Sequence, residues 1–319
     1  MKTFTTKSPK VLAATSATLL VALCLLAVVV IAKRHIGPRQ SVESAKLRLK
    51  SLVVRGTQLR EAGQYEEAEP LLQEAVGVAE DTFGPDSFET ANALNELGVL
   101  GKYDGRFERS EAAYRRALRI VEQTSGLDSE LGATIFHNLG GLEHARGQFA
   151  TGEPFARRAV EIRERLVGPD HPETAADVAA LAALLDGQRK YDEAEKLYLR
   201  ALSIFERLYG PSHYEVAINL NNLAALYQAT GRNSEAEALY LRALSSKEKL
   251  LGANHPDLGV TLNNLAVFYR SQRRFEESAR LYARALNIFE HSLPPTHPKV
   301  TTCRANYQRL LSEMNHPSS

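Results

Sequence analysis

The chain contains no tryptophan and only two cysteines, Cys24 inside an apolar stretch and Cys303 near the far end. Two cysteines so placed exclude a disulfide framework and leave the redox compartment open. There is no low-complexity tract. H-E-x-x-H, G-x-S-x-G, G-x-G-x-x-G and a paired C-x-x-C are all missing, so the short signatures of metal, serine-nucleophile and dinucleotide chemistry are not on offer. Gly98 to Lys102 ends in Gly101-Lys102 but continues with Tyr103, without the hydroxyl that a phosphate loop gives to magnesium. Ser246 and Lys249 make an isolated S-x-x-K. The reading is of a non-enzyme with no catalytic residue, no cofactor and no metal. An accessory catalytic subunit survives only as the case in which distant residues converge in one cleft.

The charge excess is small, +1 overall, but unevenly spread. Residues 1–50 hold nine Lys or Arg against one Glu, net +8, which leaves the other 269 residues at −7. A mildly acidic body without a basic stripe or stacking aromatics excludes nucleic acid as a partner.

What the chain does have is a period. Gly84, Gly126, Gly168, Gly210 and Gly252, with Pro294 in sixth place, follow one another at intervals of 42 residues. The same interval joins Ala75, Ala117, Ala159, Ala201, Ala243 and Ala285, then the small residues Ala68, Ser110, Gly152, Ala194, Ala236 and Ser278, then Gly56, Gly98, Gly140, Ala182, Ala224 and Ala266. A fixed period means stacked repeats, and three invariantly small places mark where backbones approach closely.

Within a copy the apolar spacing is helical. Val178, Leu181, Ala182 and Leu185 form one face of a first helix, and Leu197, Ala201, Leu202 and Ile204 begin the face of a second. A polar turn separates them, carrying Gly63, Gly105, Gly147 or Gly231. Segments such as Gly168-Pro169-Asp170-His171-Pro172 end one copy and start the next. Pro70 and Pro154 are expected in the first turn of the second helix, where the missing N–H costs nothing. His171, His213, His255 and His297 recur at one place, which reads as helix capping or loop filling. Stacked helices about 8–10 Å apart cannot bring them to one ion. Arg116, Arg158, Arg200, Arg242 and Arg284 read as a solvated face, with an anion track as the alternative.

These residues resemble the tetratricopeptide repeat. Gly98, Ser110 and Ala117, or Ala224, Ala236 and Ala243, have the spacing of its small positions, and Leu223, Tyr227 and Tyr240 match its large ones. The phrases Leu220-Asn221-Asn222-Leu223-Ala224 and Tyr240-Leu241-Arg242-Ala243-Leu244 are similar to the 42-residue subtype of kinesin light chains. The resemblance implies an all-α fold: a right-handed α-α superhelix of about six helix-turn-helix repeats over 42–293, with a capping helix and tail over 294–319. Arg55, Gly101, Glu143 and Asn233 depart from the pattern, and the first three copies are expected to pack less regularly than the last three.

Residues 11–32 carry no charge and are bounded by Lys7 and Lys10 on one side and Lys33 and Arg34 on the other. That length suits one transmembrane helix, with a cleaved signal peptide as the alternative. The expected order is a tail at 1–10, the anchor at 11–32, a basic juxtamembrane linker at 33–41, then the repeats. The anchor and the basic segment 33–50 would hold membrane lipid, making a single-pass protein with its repeats on the cytoplasmic or the exported side.

The groove is the expected working surface. Asn95, Asn138, Asn221, Asn222, Asn263 and Asn264 fall on the inner side of first helices, where an amide can both donate to and accept from a peptide backbone or bridge neighbouring helices. In the kinesin-light-chain subtype similar asparagines are implicated in holding peptides. One turn further come Arg60, Lys102, His144, Gln228 and Arg270, interrupted by Asp186. Copy four offers Ala176, Ala179, Ala180 and Ala183 instead of polar groups. The pattern suits a protein or peptide partner with acidic residues flanking an apolar anchor. An assembly subunit using the convex face or end caps is the other binding-protein reading.

Overall fold

The protein, described from a computed structural model over residues 38–315, is built of α-helices, with no strand among the described residues. Residues 11–32, expected as an anchor, lie outside the described residues. Within them, no helix is long and apolar enough to cross a membrane. The chain divides into two compact units, Met1–Lys50 and Ser51–Ser319. In the first, the described stretch is helical, with Val42 and Leu47 exposed.

The helices are α1 (Pro38–Glu61), α2 (Tyr65–Phe83), α3 (Phe88–Tyr103), α4 (Phe107–Thr124), α5 (Glu130–Ala145), α6 (Phe149–Val167), α7 (Pro172–Gly187), α8 (Tyr191–Tyr209), α9 (Tyr214–Ala229), α10 (Asn233–Leu251), α11 (Pro256–Ser271), α12 (Phe275–Ser292) and α13 (Pro298–Asn315). They form six helix-turn-helix pairs and a final single helix. Odd-numbered helices open each copy. From α3 to α11 every first helix starts 42 residues after the last and runs for 16. α1 starts at Pro38, inside the stretch expected to be a linker, because a proline at the first helical position loses no hydrogen bond.

The punctuation acts as its chemistry requires. Gly84, Gly126, Gly168, Gly210 and Gly252 all have positive φ, between 79° and 100°, which a Cβ would oppose. The intra-copy turn uses the same conformation at Gly63, Gly105, Gly147 and Gly231, but Arg189 and Arg273 occupy it in copies four and six, at φ 61° and 62°. First helices are capped by side chains: Ser87 and Ser129 accept from the main chain three residues on, and His171, His213 and His255 accept through Nδ1 from the N–H two residues on. Pro70 and Pro154 do not lie in the first turn. α2 and α6 begin at Tyr65 and Phe149, so each proline is the sixth helical residue and leaves the carbonyl four positions earlier without its helical donor.

The three small positions sit at helix junctions. Ala75, Ala117, Ala159, Ala201, Ala243 and Ala285 are fully buried. A Cβ added at Gly98 would meet the Tyr114 ring at 2.5 Å, and one at Gly56 would meet Leu72 at 2.7 Å. Where the second-helix position is serine, its hydroxyl is absorbed: Ser110 donates to the Gly98 carbonyl at 2.6 Å and Ser278 to the Ala266 carbonyl at 2.7 Å. The departures in early copies change what fills a junction and leave the register intact. At Gly101 an added Cβ would meet Ser110 N at 3.2 Å, so the missing side chain is spent on close helix approach.

The periodic arginines are half-exposed, and each is ion-paired within the protein rather than left free as an anion track. Arg116 pairs with Glu80 at 2.6 Å, Arg200 with Glu164 at 2.8 Å, Arg242 with Glu206 at 2.6 Å and Arg284 with Glu248 at 2.5 Å, each joining a second helix to its predecessor. A second series ties the turn of one copy to the preceding second helix: Arg106 to Glu69, Lys190 to Glu153, Arg232 to Glu195 and Arg274 to Glu237. Exposed pairs of this kind contribute about 0–1 kcal/mol each, so they fix alignment more than they stabilise.

Candidate functional site

The backbones of neighbouring first helices approach one another closely, α3 with α5, α5 with α7, α7 with α9, α9 with α11 and α11 with α13, whereas second helices in the described residues do not and meet only through long side chains such as Arg116 and Glu80. The first helices therefore lie on the inside of the curve, and their free faces form the inner wall.

The asparagines of that wall are arranged in bridges. Asn138 Nδ2 donates to Asn95 Oδ1 at 2.8 Å, and Asn264 Nδ2 donates to Asn221 Oδ1 at 3.4 Å, the same contact repeated three copies further on. Asn221 donates to Asn222 Oδ1 at 3.3 Å and Asn263 to Asn264 Oδ1 at 3.5 Å. Asn95, Asn138 and Asn221 are buried, while Asn222, Asn263 and Asn264 stay half-buried. Copy four has Ala179 and Ala180 where the amides would stand, so the bridges are interrupted there. Ala176, Ala179, Ala180 and Ala183 are half-buried. In copy three His137 replaces the first amide and its Nδ1 meets the buried Asp177 at 2.8 Å, beside Arg163, which donates to Asp177 at 3.2 Å and to Thr134 at 3.0 Å.

The row one turn further is split up by the fold. Arg270 makes a two-pronged pair with Glu313 of α13, at 2.9 and 2.7 Å, and is neutralised. Gln228 accepts from Tyr240 at 3.2 Å and lines an open cleft of about 610 Å³ with Ala225, Asn264 and Val267. Asp186 has no cationic partner among the described residues, and burial alone pushes its carboxyl up to about 6. His144 is exposed, with its ring 5.4 Å from Phe149. Positive charge is thus concentrated at the N-terminal end of the wall, not at both ends.

That end is reshaped by a contact the period does not announce. His255 Nε2 lies 2.7 Å from the carbonyl of Glu61, and His297 Nε2 lies 2.9 Å from the carbonyl of Tyr103; each pair is 194 residues apart. Nδ1 of each ring already accepts a main-chain N–H as a cap, so Nε2 carries the proton and donates. The last carbonyls of α1 and α3 have no intrahelical donor, and the histidines at the starts of α11 and α13 supply one. The unit Ser51–Ser319 accordingly closes on itself. One apolar cluster runs through both sides of the seam, joining Tyr65, Leu72 and Leu100 to Leu258, Leu262, Val300 and Leu310.

At the seam three cations surround one ring. Lys102 Nζ lies 5.2 Å from the centroid of Tyr103, Arg60 Cζ 5.5 Å and Lys299 Nζ 5.8 Å. Lys299 has Asp257 at 3.9 Å, and that carboxylate also accepts from the Tyr214 hydroxyl. Among the described residues Lys102 has no acidic partner within ion-pair distance. Burial, then the neighbouring charges of Arg60 and Lys299, push its ammonium down to about 8. Lys102 belongs to the row read from the sequence. Tyr103, Lys299 and Asp257 do not, because a spacing of 194 residues is not a multiple of the repeat.

The comparisons agree with this architecture. A tetratricopeptide repeat model matches residues 47–123, 132–195, 176–249 and 215–291. Among solved structures, a Rap protein complexed with Competence and Sporulation Factor is similar over 85% of this chain and 77% of its own, with 15% identity and a TM-score of 0.58. A putative kinesin light chain of Podospora anserina with nearly identical TPR-like repeats is similar over 64% and 96%, with 21% identity and a TM-score of 0.51. BtubC (BKLC) from P. vanneervenii covers 84% and 92% at 22% identity and a TM-score of 0.48. No curated protein matches the chain. With its repeats matched along most of its length, the chain belongs to the tetratricopeptide repeat family.

Proposed function

We propose that this chain is a non-catalytic scaffold whose inner wall holds a segment of a partner protein. The observation that carries the reading is a contrast between the two sides. The arginines of the second helices are matched by glutamates of the preceding copy, so that side is occupied with its own cohesion. On the inner wall Lys102 and Asp186 have no counter-charge among the described residues, Asn222, Asn263 and Asn264 keep partly accessible amides, and the alanines of α7 leave a small apolar shelf. Groups that fold without partners are the groups available to a ligand. An extended segment advances about 3.3 Å per residue against about 8–10 Å per helix step, so each first helix would meet it at about every third residue. The similar Rap protein is described in complex with a factor, which is in keeping with this use of the architecture.

The preferred segment carries acidic residues at the Lys102 end and an apolar side chain for Ala179, Ala180 and Ala183. The scaffold is tethered to a bilayer by residues 11–32, with the basic stretch 33–50 against anionic headgroups and the repeats on the cytoplasmic side. Screening the full chain against a peptide library tests the groove: enrichment of acidic members, lost on Lys102→Glu, is expected, and equal retention of acidic and basic members would refute it. Protease access to the repeats in intact membranes tests the tether and its orientation.

A further inference from the structure

We propose that Arg60, Lys102 and Lys299 together form an oxyanion site that receives a carboxylate of the bound partner, and that α13 completes it. The proposal rests on the groove reading above and gives it a specific anchor point.

The three side chains come from α1, α3 and α13, and only closure of the seam brings them around Tyr103, at 5.2 to 5.8 Å from its ring. Asp257, Glu215 and Glu61 are the acidic groups that act on the same ring, and none of them forms an ion pair with Lys102 among the described residues. Glu61 lies 3.7 Å from Arg60 but is largely exposed, which screens it. Asp257 sits 3.9 Å from Lys299 and is also held by Tyr214. Arg60 Nε is buried without an acceptor. Lys102 Nζ lies against Gly141 of α5, where a Cβ would stand 3.3 Å from it, so the missing side chain keeps the approach to the ammonium clear. Like charges held this close oppose folding unless something bound between them repays the repulsion. A carboxylate does so: it offers two acceptor oxygens to a guanidinium and two ammonium groups. The apolar cluster behind Tyr103 lowers the local dielectric and strengthens each contact.

The site also has a built-in dependence on the C-terminus. Lys299 is the second residue of α13, which the His297 donation to the Tyr103 carbonyl holds against α3. Anything that lifts α13 removes one of the three cations.

Trace acetylation of the full chain at pH 8, read peptide by peptide by mass spectrometry, tests the assignment. The probes are penta-glutamate, penta-lysine and inorganic phosphate, and exposed Lys190 is the internal reference. Penta-glutamate is expected to slow modification of Lys102 at least fivefold while leaving Lys190 unchanged, with protection lost in Lys299→Met. Penta-lysine is expected to have no effect. Protection by phosphate equal to that by penta-glutamate would replace the carboxylate assignment with a free-anion site. No protection of Lys102 by penta-glutamate would overturn the site, and library peptides still retained by the chain would show that the groove reading survives it. Protection of Lys102 with no library peptide retained would leave the site standing and remove the groove. Because Lys102→Met removes a like charge, it is expected to raise the unfolding temperature while abolishing the acidic preference. A fall in that temperature would mean that the lysine is there for packing.

Discussion

His297 donates its Nε2–H to the main-chain carbonyl of Tyr103, 194 residues earlier, while its Nδ1 accepts the N–H of Lys299 at 3.0 Å. One side chain therefore starts α13 and joins it to α3. His297→Asn should separate these two tasks, since asparagine caps well but is too short to reach Tyr103. The expected loss is one net hydrogen bond, about 0.5–1.5 kcal/mol, seen as faster amide hydrogen exchange in α13 and at the end of α3. His171→Asn, where the cap has no partner across the seam, should change stability by less than about 0.5 kcal/mol. Equal effects from the two substitutions would mean that the seam contributes nothing.

The same geometry sets a pH dependence. The ring is neutral when it accepts at Nδ1 and donates at Nε2, so a second proton must displace the Lys299 N–H. Burial lowers the pKa of His297 from its ordinary value, Lys299 lowers it further, and the Tyr103 carbonyl and Asp104 act against this. With the folded value depressed, the unfolded chain takes up a proton that the folded chain resists. The stabilisation is therefore complete above about pH 6.5 and is lost as the pH falls below that through the folded value. Denaturant midpoints between pH 7.5 and 5 should fall more steeply for the parent than for His297→Asn. Parallel curves would contradict the assignment.

Arg189 occupies the left-handed turn position that Gly63, Gly105, Gly147 and Gly231 fill elsewhere, at φ 61°. A side chain there costs about 1–2 kcal/mol, and glycine returns part of the gain through a freer unfolded chain. Arg189→Gly should stabilise by about 0.5–1 kcal/mol in equilibrium unfolding, because the arginine is exposed and its guanidinium makes no ion pair among the described residues. A loss of stability would show that Arg189 has a contact worth more than its strain.

Why the fold was readable and the seam was not follows from what repetition records. The period places glycine where φ must be positive and a small residue where helices meet, because every copy solves those two problems alike. Gly84 and Ala75 therefore announce themselves. Asn138 and Asn264 were also visible, although their choice between neighbour and ligand depended on a distance. The contacts of His255 and His297 depend on how far the stack curves per copy, a sum of small rotations that no single residue encodes. The second task of these histidines could not be separated from capping, since His171 and His213 look identical in sequence and cap without it. The pairing of Arg270 is hidden for a similar reason: its partner Glu313 lies in α13, which stands outside the helix-turn-helix pairs.

The register itself is exposed to a direct test at Ala201. It is fully buried on α8, in a cluster with Ala175, Val178, Ile204, Phe205, Val216 and Leu220. α7, α8 and α9 all contribute to that cluster, so the site joins two successive copies and has no open side toward which a larger residue could turn. Ala201→Leu must push one of those helices outward or force side chains off their rotamers, at about 1–3 kcal/mol. The displacement should be felt in the next copy as well, because α9 packs on the same atoms, and hydrogen exchange should accelerate in α9 before it does in α4. Leu199, two residues away and exposed, provides the control: Leu199→Ala should change stability by less than about 0.5 kcal/mol. If both variants unfolded at the temperature of the parent, the alanine ladder would not mark the helix junctions.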